Sequence, residues 1–354
     1  MRRTRIVTVV VAATLAVAGC SGTGTDSAPS RPASAPPAGT APAATPPATV
    51  SAPAPSPAPH PVSLPALMAG EDDGGDLRVG AVLARTDAYT RYAVTYRSSG
   101  LRISGVMNVP RGTGPFPVLV LNHGYIDPAV YVTGQGLRRE QDYLARAGYV
   151  VLHTDYRNHA GSDTDPQADL RLRLGYGQDA VNAVLALKAS GLAYVDAERV
   201  GMLGRSMGGG VTFQALVTRP GLVDAAVVYA PVSSDVVDNY DRWTRGQPGR
   251  QQLADAIVRA YGSPESAPEF WRGVSPRTYF SRITEPVLIH HGTADESCPI
   301  DWSRQTQAAL RAAGVDSELL VYDGEPHAFG AAWRDSMART VAFFAEHLGT
   351  KDIT

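Results

Sequence analysis

The stretch Gly201-Met202-Leu203-Gly204-Arg205-Ser206-Met207-Gly208-Gly209-Gly210 constrains this chain more than any other. It sets a serine in G-x-S-x-G spacing between an apolar segment, Arg199 to Leu203, and a helix-compatible one, Val211 to Thr218. A chain that turns from strand to helix through one serine strains that residue's backbone and lifts its hydroxyl above the sheet edge. Small neighbours let strand and helix pass closely, and the N–H groups of the new helix point at the same spot. An incidental serine in a Gly-rich turn would share the pentapeptide, so its meaning depends on the segments around it.

Those segments alternate. Tyr89 to Arg97 and Leu101 to Val109 read as strands joined by Ser98-Ser99-Gly100, a hairpin signal. Pro117 to Asn122 is a continuous apolar run ending in His123-Gly124-Tyr125, as expected of a strand buried on both faces. A helix over Gly136 to Ala147, a strand over Tyr149 to His153 and a helix over Leu170 to Ser190 follow. The serine strand and helix come next, then a strand at Ala225 to Tyr229. After an interruption the rhythm resumes with strand Val287 to His291, helix Trp302 to Ala313, strand Ser317 to Tyr322 and helix Ala331 to Leu348. Strands alternating with helices predict an α/β fold, a mostly parallel twisted sheet covered by helices on both faces. The interruption, residues 231–282, has one clear helix at Gln251 to Tyr261 and many aromatics, and is expected to form a small helical cap.

The first part of the chain is of another kind. Met1-Arg2-Arg3-Thr4-Arg5 precedes an apolar run from Ile6 to Ala18, a basic start and short apolar core that read as an export signal over residues 1–19. Residues 20–63 are dominated by Ala, Pro, Ser and Thr, and cannot bury enough apolar area to offset ordering entropy; they are expected to form a disordered tether. The folded domain is expected over residues 64–350. The net charge of the 354-residue chain is -2, which gives no reason to expect a nucleic-acid partner. Leu15-Ala16-Val17-Ala18-Gly19-Cys20 resembles the lipobox of bacterial lipoproteins. That resemblance implies cleavage before Cys20, a lipid on its sulfur, and anchoring at the outer side of the bacterial cell membrane. A plain secretory signal, leaving the protein periplasmic or secreted, is the alternative. The other cysteine, Cys298, lacks a glycine turn and reads as a core or loop thiol.

A nucleophilic serine needs a base for its proton and a carboxylate to orient that base. His327 lies in the polar loop Asp323-Gly324-Glu325-Pro326-His327-Ala328-Phe329-Gly330, between a strand and the last helix. His290 and His291, at the end of a buried strand, read as core histidines. Asp295 in His291-Gly292-Thr293-Ala294-Asp295-Glu296 is the expected acid, with Glu296, Asp301 and Asp323 as rivals. The expected oxyanion donors are the N–H of Met207 and a group at Tyr125, whose hydroxyl is alternatively a pocket-lining group. Tyr240, Trp243 and Trp271 of the cap are expected to wall the substrate pocket.

With these motifs in place the chain resembles the α/β-hydrolase superfamily, and within it the catalytic domain of prolyl-oligopeptidase-like serine peptidases and related esterases. The carriers are Asn122-His123-Gly124-Tyr125, Gly204 to Gly209, His291 to Asp295 and Asp323 to Phe329, in chain order. The expected activity is ester or amide hydrolysis of a small-molecule or peptide substrate through an acyl-enzyme, with neither metal nor organic cofactor. An aminopeptidase or dipeptidase would need an acidic anchor for the substrate amine, for which Asp235, Asp238 and Asp241 are candidates. A non-catalytic binding protein on a hydrolase scaffold is the third reading.

Overall fold

The computed structural model describes residues 58–349; the expected export signal, Cys20 and most of the expected tether lie outside them. Nine strands among the described residues form one sheet. They are β1 (Gly75–Arg85), β2 (Tyr89–Ser98), β3 (Leu101–Pro110), β4 (Phe116–Asn122), β5 (Val150–Thr154), β6 (Val195–Arg205), β7 (Ala225–Tyr229), β8 (Val287–Gly292) and β9 (Ser317–Tyr322). Their order is β1-β2-β3-β5-β4-β6-β7-β8-β9. The first three strands and β5 pair antiparallel, and from β5 to β9 every pair is parallel.

Helices α1 (Leu64–Ala69), α2 (Arg138–Arg146), α3 (Leu174–Lys188) and α4 (Met207–Thr218) belong to the first half of the fold. The cap holds α5 (Val236–Trp243), α6 (Gln251–Tyr261), α7 (Pro268–Val274) and a 3₁₀ turn at Pro276–Arg282; α8 (Ile300–Ala312) and α9 (Trp333–Leu348) follow it. One face of the sheet packs through Val118, Val120, Met202 and Val228 against α1, α3, α4 and α8, including Leu64, Val184, Phe213 and Leu310. The other packs through Leu119, Leu121, Leu203 and Val227 against Leu144 of α2 and Met337 and Phe344 of α9. Burial on both faces explains why the central strands read as unbroken apolar runs.

From β4 the chain goes out to β5 and returns across β4 to β6. Strand order therefore reverses between β4 and β6, and a crevice opens where their carboxyl ends diverge. Asn122 and Arg205 end these strands, which places the His123-Gly124-Tyr125 turn beside Ser206.

Some elements differ from the sequence expectation. β1 was not expected, because most of its side chains are exposed and no alternation marks it. The serine helix begins at Met207 instead of Val211, despite three successive glycines that disfavour helix. Packing decides: a Cβ at Gly208 would lie 1.9 Å from the Asn122 carbonyl oxygen, so only glycine lets α4 cross β4 this closely.

Candidate active site

Ser206 sits at φ 58°, ψ −122° between β6 and α4. Few non-glycine residues adopt positive φ, and here it directs the hydroxyl out of the sheet edge. The serine's own N–H donates to the Tyr229 carbonyl at 2.9 Å, and its carbonyl accepts from Gly209 and Val232. The side chain is thus set by backbone bonds on both sides. Gly124 packs against it: a Cβ there would lie 3.2 Å from Ser206 Cβ, which accounts for glycine between His123 and Tyr125.

Asp295 follows β8, and His327 lies in the loop between β9 and α9. His327 Nδ1 donates to Asp295 Oδ2 at 2.8 Å, so Nε2 is free to accept a proton. The other carboxylate oxygen, Oδ1, accepts the N–H groups of Ser297 and Cys298, both at 2.8 Å. Burial works against the charge on Asp295, yet hydrogen bonds from His291, His327 and the Cys298 amide hold its carboxyl well below the usual range. It stays ionised and can stabilise an imidazolium.

The rival carboxylates are engaged elsewhere. Asp323 accepts from Thr293 Oγ1 at 2.9 Å, Asp301 pairs with Arg304 at 2.8 Å, and Glu296 accepts the backbone N–H of His327 at 3.3 Å. Cys298 is fully buried. Burial, with Asp295 nearby, pushes its thiol up to about 12, which makes it a poor nucleophile.

Ser206 and His327 line one cavity of about 610 Å³ together with Tyr125, Met207, Tyr240 and Trp243. No hydrogen bond joins Ser206 to His327 among the described residues; such contacts often tighten only when substrate binds. Met207 is the first residue of α4, so its N–H has no intrahelical acceptor. The Tyr125 side chain lines the cavity, with its hydroxyl accepting from Arg250 at 3.2 Å. Trp271 departs from expectation. It is 1% exposed, packs against Tyr240 with ring centroids 4.7 Å apart and planes tilted by 49°, donates to the Gly262 carbonyl at 3.2 Å, and does not border the cavity. An aromatic in the middle of a small helical cap is needed for the cap's own core, which sequence position alone does not separate from a pocket wall.

Two supporting features escaped the sequence reading. His291 is buried as expected, but its Nε2 lies 3.2 Å from Asp295 Oδ2. Glu140 of α2, 1% exposed, forms an ion pair with Arg205, the residue before the serine, and accepts from Trp333 Nε1 at 2.8 Å. Its neighbour Arg139 donates to the Ala328 carbonyl at 2.6 Å, beside His327. Helix α2 therefore ties the serine turn to the histidine loop. A carboxylate on a helical face is ordinarily solvated, and nothing in its local sequence marked Glu140 otherwise.

A mostly parallel sheet with this serine turn and an Asp–His pair above one cavity defines an α/β-hydrolase fold and a serine hydrolase. The chain belongs to the prolyl oligopeptidase family, whose model matches residues 135–351. It is 27% identical over 224 residues to the acylamino-acid-releasing enzyme of Arabidopsis thaliana, covering 58% of this chain and 28% of that one. It is 25% identical over 240 residues to the uncharacterized peptidase YtmA of Bacillus subtilis, covering 67% and 86% respectively. Among solved structures, a puromycin-hydrolyzing peptidase of Mycobacterium tuberculosis superposes with TM-score 0.59 at 23% identity, over 75% of this chain and 41% of that one. An acetyl xylan esterase from Paenibacillus sp. R4 superposes with TM-score 0.60 at 21% identity, over 79% and 92%. The chain thus spans less than a third of the acylamino-acid-releasing enzyme it resembles.

Proposed function

We propose that this hydrolase cleaves small esters through an acyl-enzyme, with Ser206 as nucleophile, His327 as base and Asp295 as orienting acid. The observation that carries the reading is the 2.8 Å bond from His327 Nδ1 to an ionised Asp295, above the cavity into which the strained Ser206 opens. In this reaction His327 Nε2 takes the Ser206 proton as Oγ bonds to the carbonyl carbon. The resulting oxyanion faces the N–H of Met207 and the backbone at Tyr125. Collapse breaks the bond to the leaving oxygen, which takes the proton from His327. Water then repeats the sequence against the acyl-serine, releasing the acid and restoring the hydroxyl. Substrate contact by Tyr240 and Trp243 of the cavity wall is part of the same proposal.

Ester is favoured over an aminopeptidase reading by the cap's carboxylates. Asp235 caps α5 by accepting the Val237 N–H at 3.0 Å, Asp238 accepts from Ser233 Oγ at 2.5 Å, and Asp241 pairs with Arg245 at 3.1 Å. None of the three lines the cavity, so none is placed to hold a substrate ammonium. Labelling by a fluorophosphonate, and its loss in Ser206→Ala with an unchanged melting temperature, tests the assignment; labelling at wild-type level in the variant would refute it.

We also propose that Cys20 carries a lipid anchor and that the Pro-rich segment after it holds the enzyme away from a membrane surface. The support is the sequence Leu15 to Cys20 behind a basic and apolar start. Cys20→Ser should move the protein from the membrane to the soluble fraction with ester turnover intact. Retention on membranes would sink the proposal.

A further inference from the structure

The cavity that Ser206 opens into is not electrically balanced. Its lining includes two guanidinium groups, Arg173 and Arg250, and one carboxylate, Asp169. Asp169 is committed to Arg173, whose Nε–H it accepts at 2.7 Å. Arg250 Nη1 stands 3.9 Å from the same carboxylate, beyond hydrogen-bond reach. Its one side-chain hydrogen bond among the described residues runs from Nη2 to the Tyr125 hydroxyl at 3.2 Å. A guanidinium has five N–H donors, so most of those on Arg250 remain unspent. The side chain is 35% exposed, which leaves those donors open to a ligand in the cavity.

The two cations border the reacting centre. Arg173 Nη1 is 3.6 Å from the sulfur of Met207, and its guanidinium lies 4.8 Å over the Tyr125 ring. These are the two residues whose backbone faces the expected oxyanion. Arg173 itself is held at φ 56°, just after Leu172 at φ 52°, strain that places its side chain on the cavity wall. Gln214 of α4 also borders the cavity at 9% exposure, with its Oε1 buried against Gly177 of α3. Between these polar groups run Val211, Val236, Leu253 and Ile257, an apolar wall for a short aliphatic stem.

We propose that the substrate is an ester bearing a free carboxylate, with Arg250 receiving that carboxylate and Arg173 supplying the second positive charge. This rests on the triad reading above. A planar guanidinium with unspent donors matches a carboxylate in geometry and charge.

The test compares p-nitrophenyl hemiadipate with p-nitrophenyl hexanoate, equal in chain length and differing by the carboxylate on the acyl part. A second arm uses 3-carboxy-4-nitrophenyl hexanoate, which moves the carboxylate to the leaving group. Wild-type enzyme should favour one charged ester over the neutral one in kcat/KM by roughly ten- to a hundred-fold, the range of a charge-assisted hydrogen bond. The arm that shows the preference identifies the part of the substrate that reaches Arg250. Arg250→Gln should bring the ratio near one, mainly through KM of the charged ester, while Arg250→Lys retains part of it. Rising salt should shrink the wild-type ratio. A ratio near one in wild type for both arms, or an unchanged ratio in a folded Arg250→Gln, would overturn the inference. If turnover survived Ser206→Ala, the triad reading would fall and this inference with it. Ser206-dependent turnover without charge preference removes this inference alone.

Discussion

His291 Nε2 lies 3.2 Å from Asp295 Oδ2, the oxygen that also accepts the Nδ1–H of His327 at 2.8 Å. The other neighbour of Nε2 is the Cys298 carbonyl at 3.0 Å. Both neighbours accept, so the proton of a neutral His291 sits on Nε2, and Nδ1 takes the Ser303 hydroxyl at 2.6 Å. Two histidines and two backbone amides thus converge on one carboxylate. Its plane, and with it the imidazole of His327, has one setting.

His291→Ala should therefore lower kcat roughly ten- to a hundred-fold, since small misplacement of a catalytic group is costly. The acid limb of the kcat/KM profile should move to higher pH, because a carboxylate with one donor fewer holds an imidazolium more tightly. A residue that only packed the core would lower the melting temperature and leave that limb in place.

Asp295→Asn keeps the shape of the acid and loses its charge. By analogy with other serine triads, kcat should fall on the order of 10⁴-fold, with KM little changed. Retention of most activity would transfer the acid role to a neighbouring carboxylate, with Glu296 the first to examine.

Glu140→Gln leaves Arg205 part-buried without its counter-charge, both side chains being at most 14% exposed. Breaking such a pair costs about 3–5 kcal/mol. Chemical denaturation should show that loss, and activity should fall with it because α2 braces both catalytic loops. An unchanged denaturation midpoint would contradict the bracing role.

Stability should decline on acidification before the carboxylates titrate. Burial lowers His123 to about 4 and His290 to about 3, each from 6.5. With the folded pKa depressed, the unfolded chain binds more protons between these limits, so stability is complete above about 6.5 and is lost as pH falls below it. While both unfolded histidines are charged and both folded ones neutral, the slope approaches roughly 3 kcal/mol per pH unit. Urea midpoints at pH 7.5, 6 and 5 measure it, and a flat series would show that these rings are hydrated.

Trp243 and Trp271 should separate cleanly. Trp243 is 38% exposed and lines the cavity, so Trp243→Ala should reorder p-nitrophenyl esters by chain length with little loss of stability. Trp271→Ala should cost about 3–5 kcal/mol and leave the order as it was. The opposite pattern in the two variants would place the substrate on the far side of the cap.

The sequence by itself determined the alternation of strands and helices and the strand–serine–helix turn, because both arise from contacts between near neighbours. Continuous apolar runs betray strands buried on two faces, and glycines at 204 and 208 betray a close crossing. It also carried the order of the serine, acid and histidine loops. Tertiary structure alone decided which carboxylate faces the imidazole, that His291 grips the same oxygen, and that Glu140 is a buried counter-ion. It also sorted Trp243 to the cavity and Trp271 to the cap's core, and made an exposed edge strand of Gly75–Arg85. The physical reason is common to all of these. Hydrogen-bond and ion-pair partners separated by tens of residues meet only when the sheet order and the packing of helices on it are set, and periodicity along the chain records burial without recording the partner.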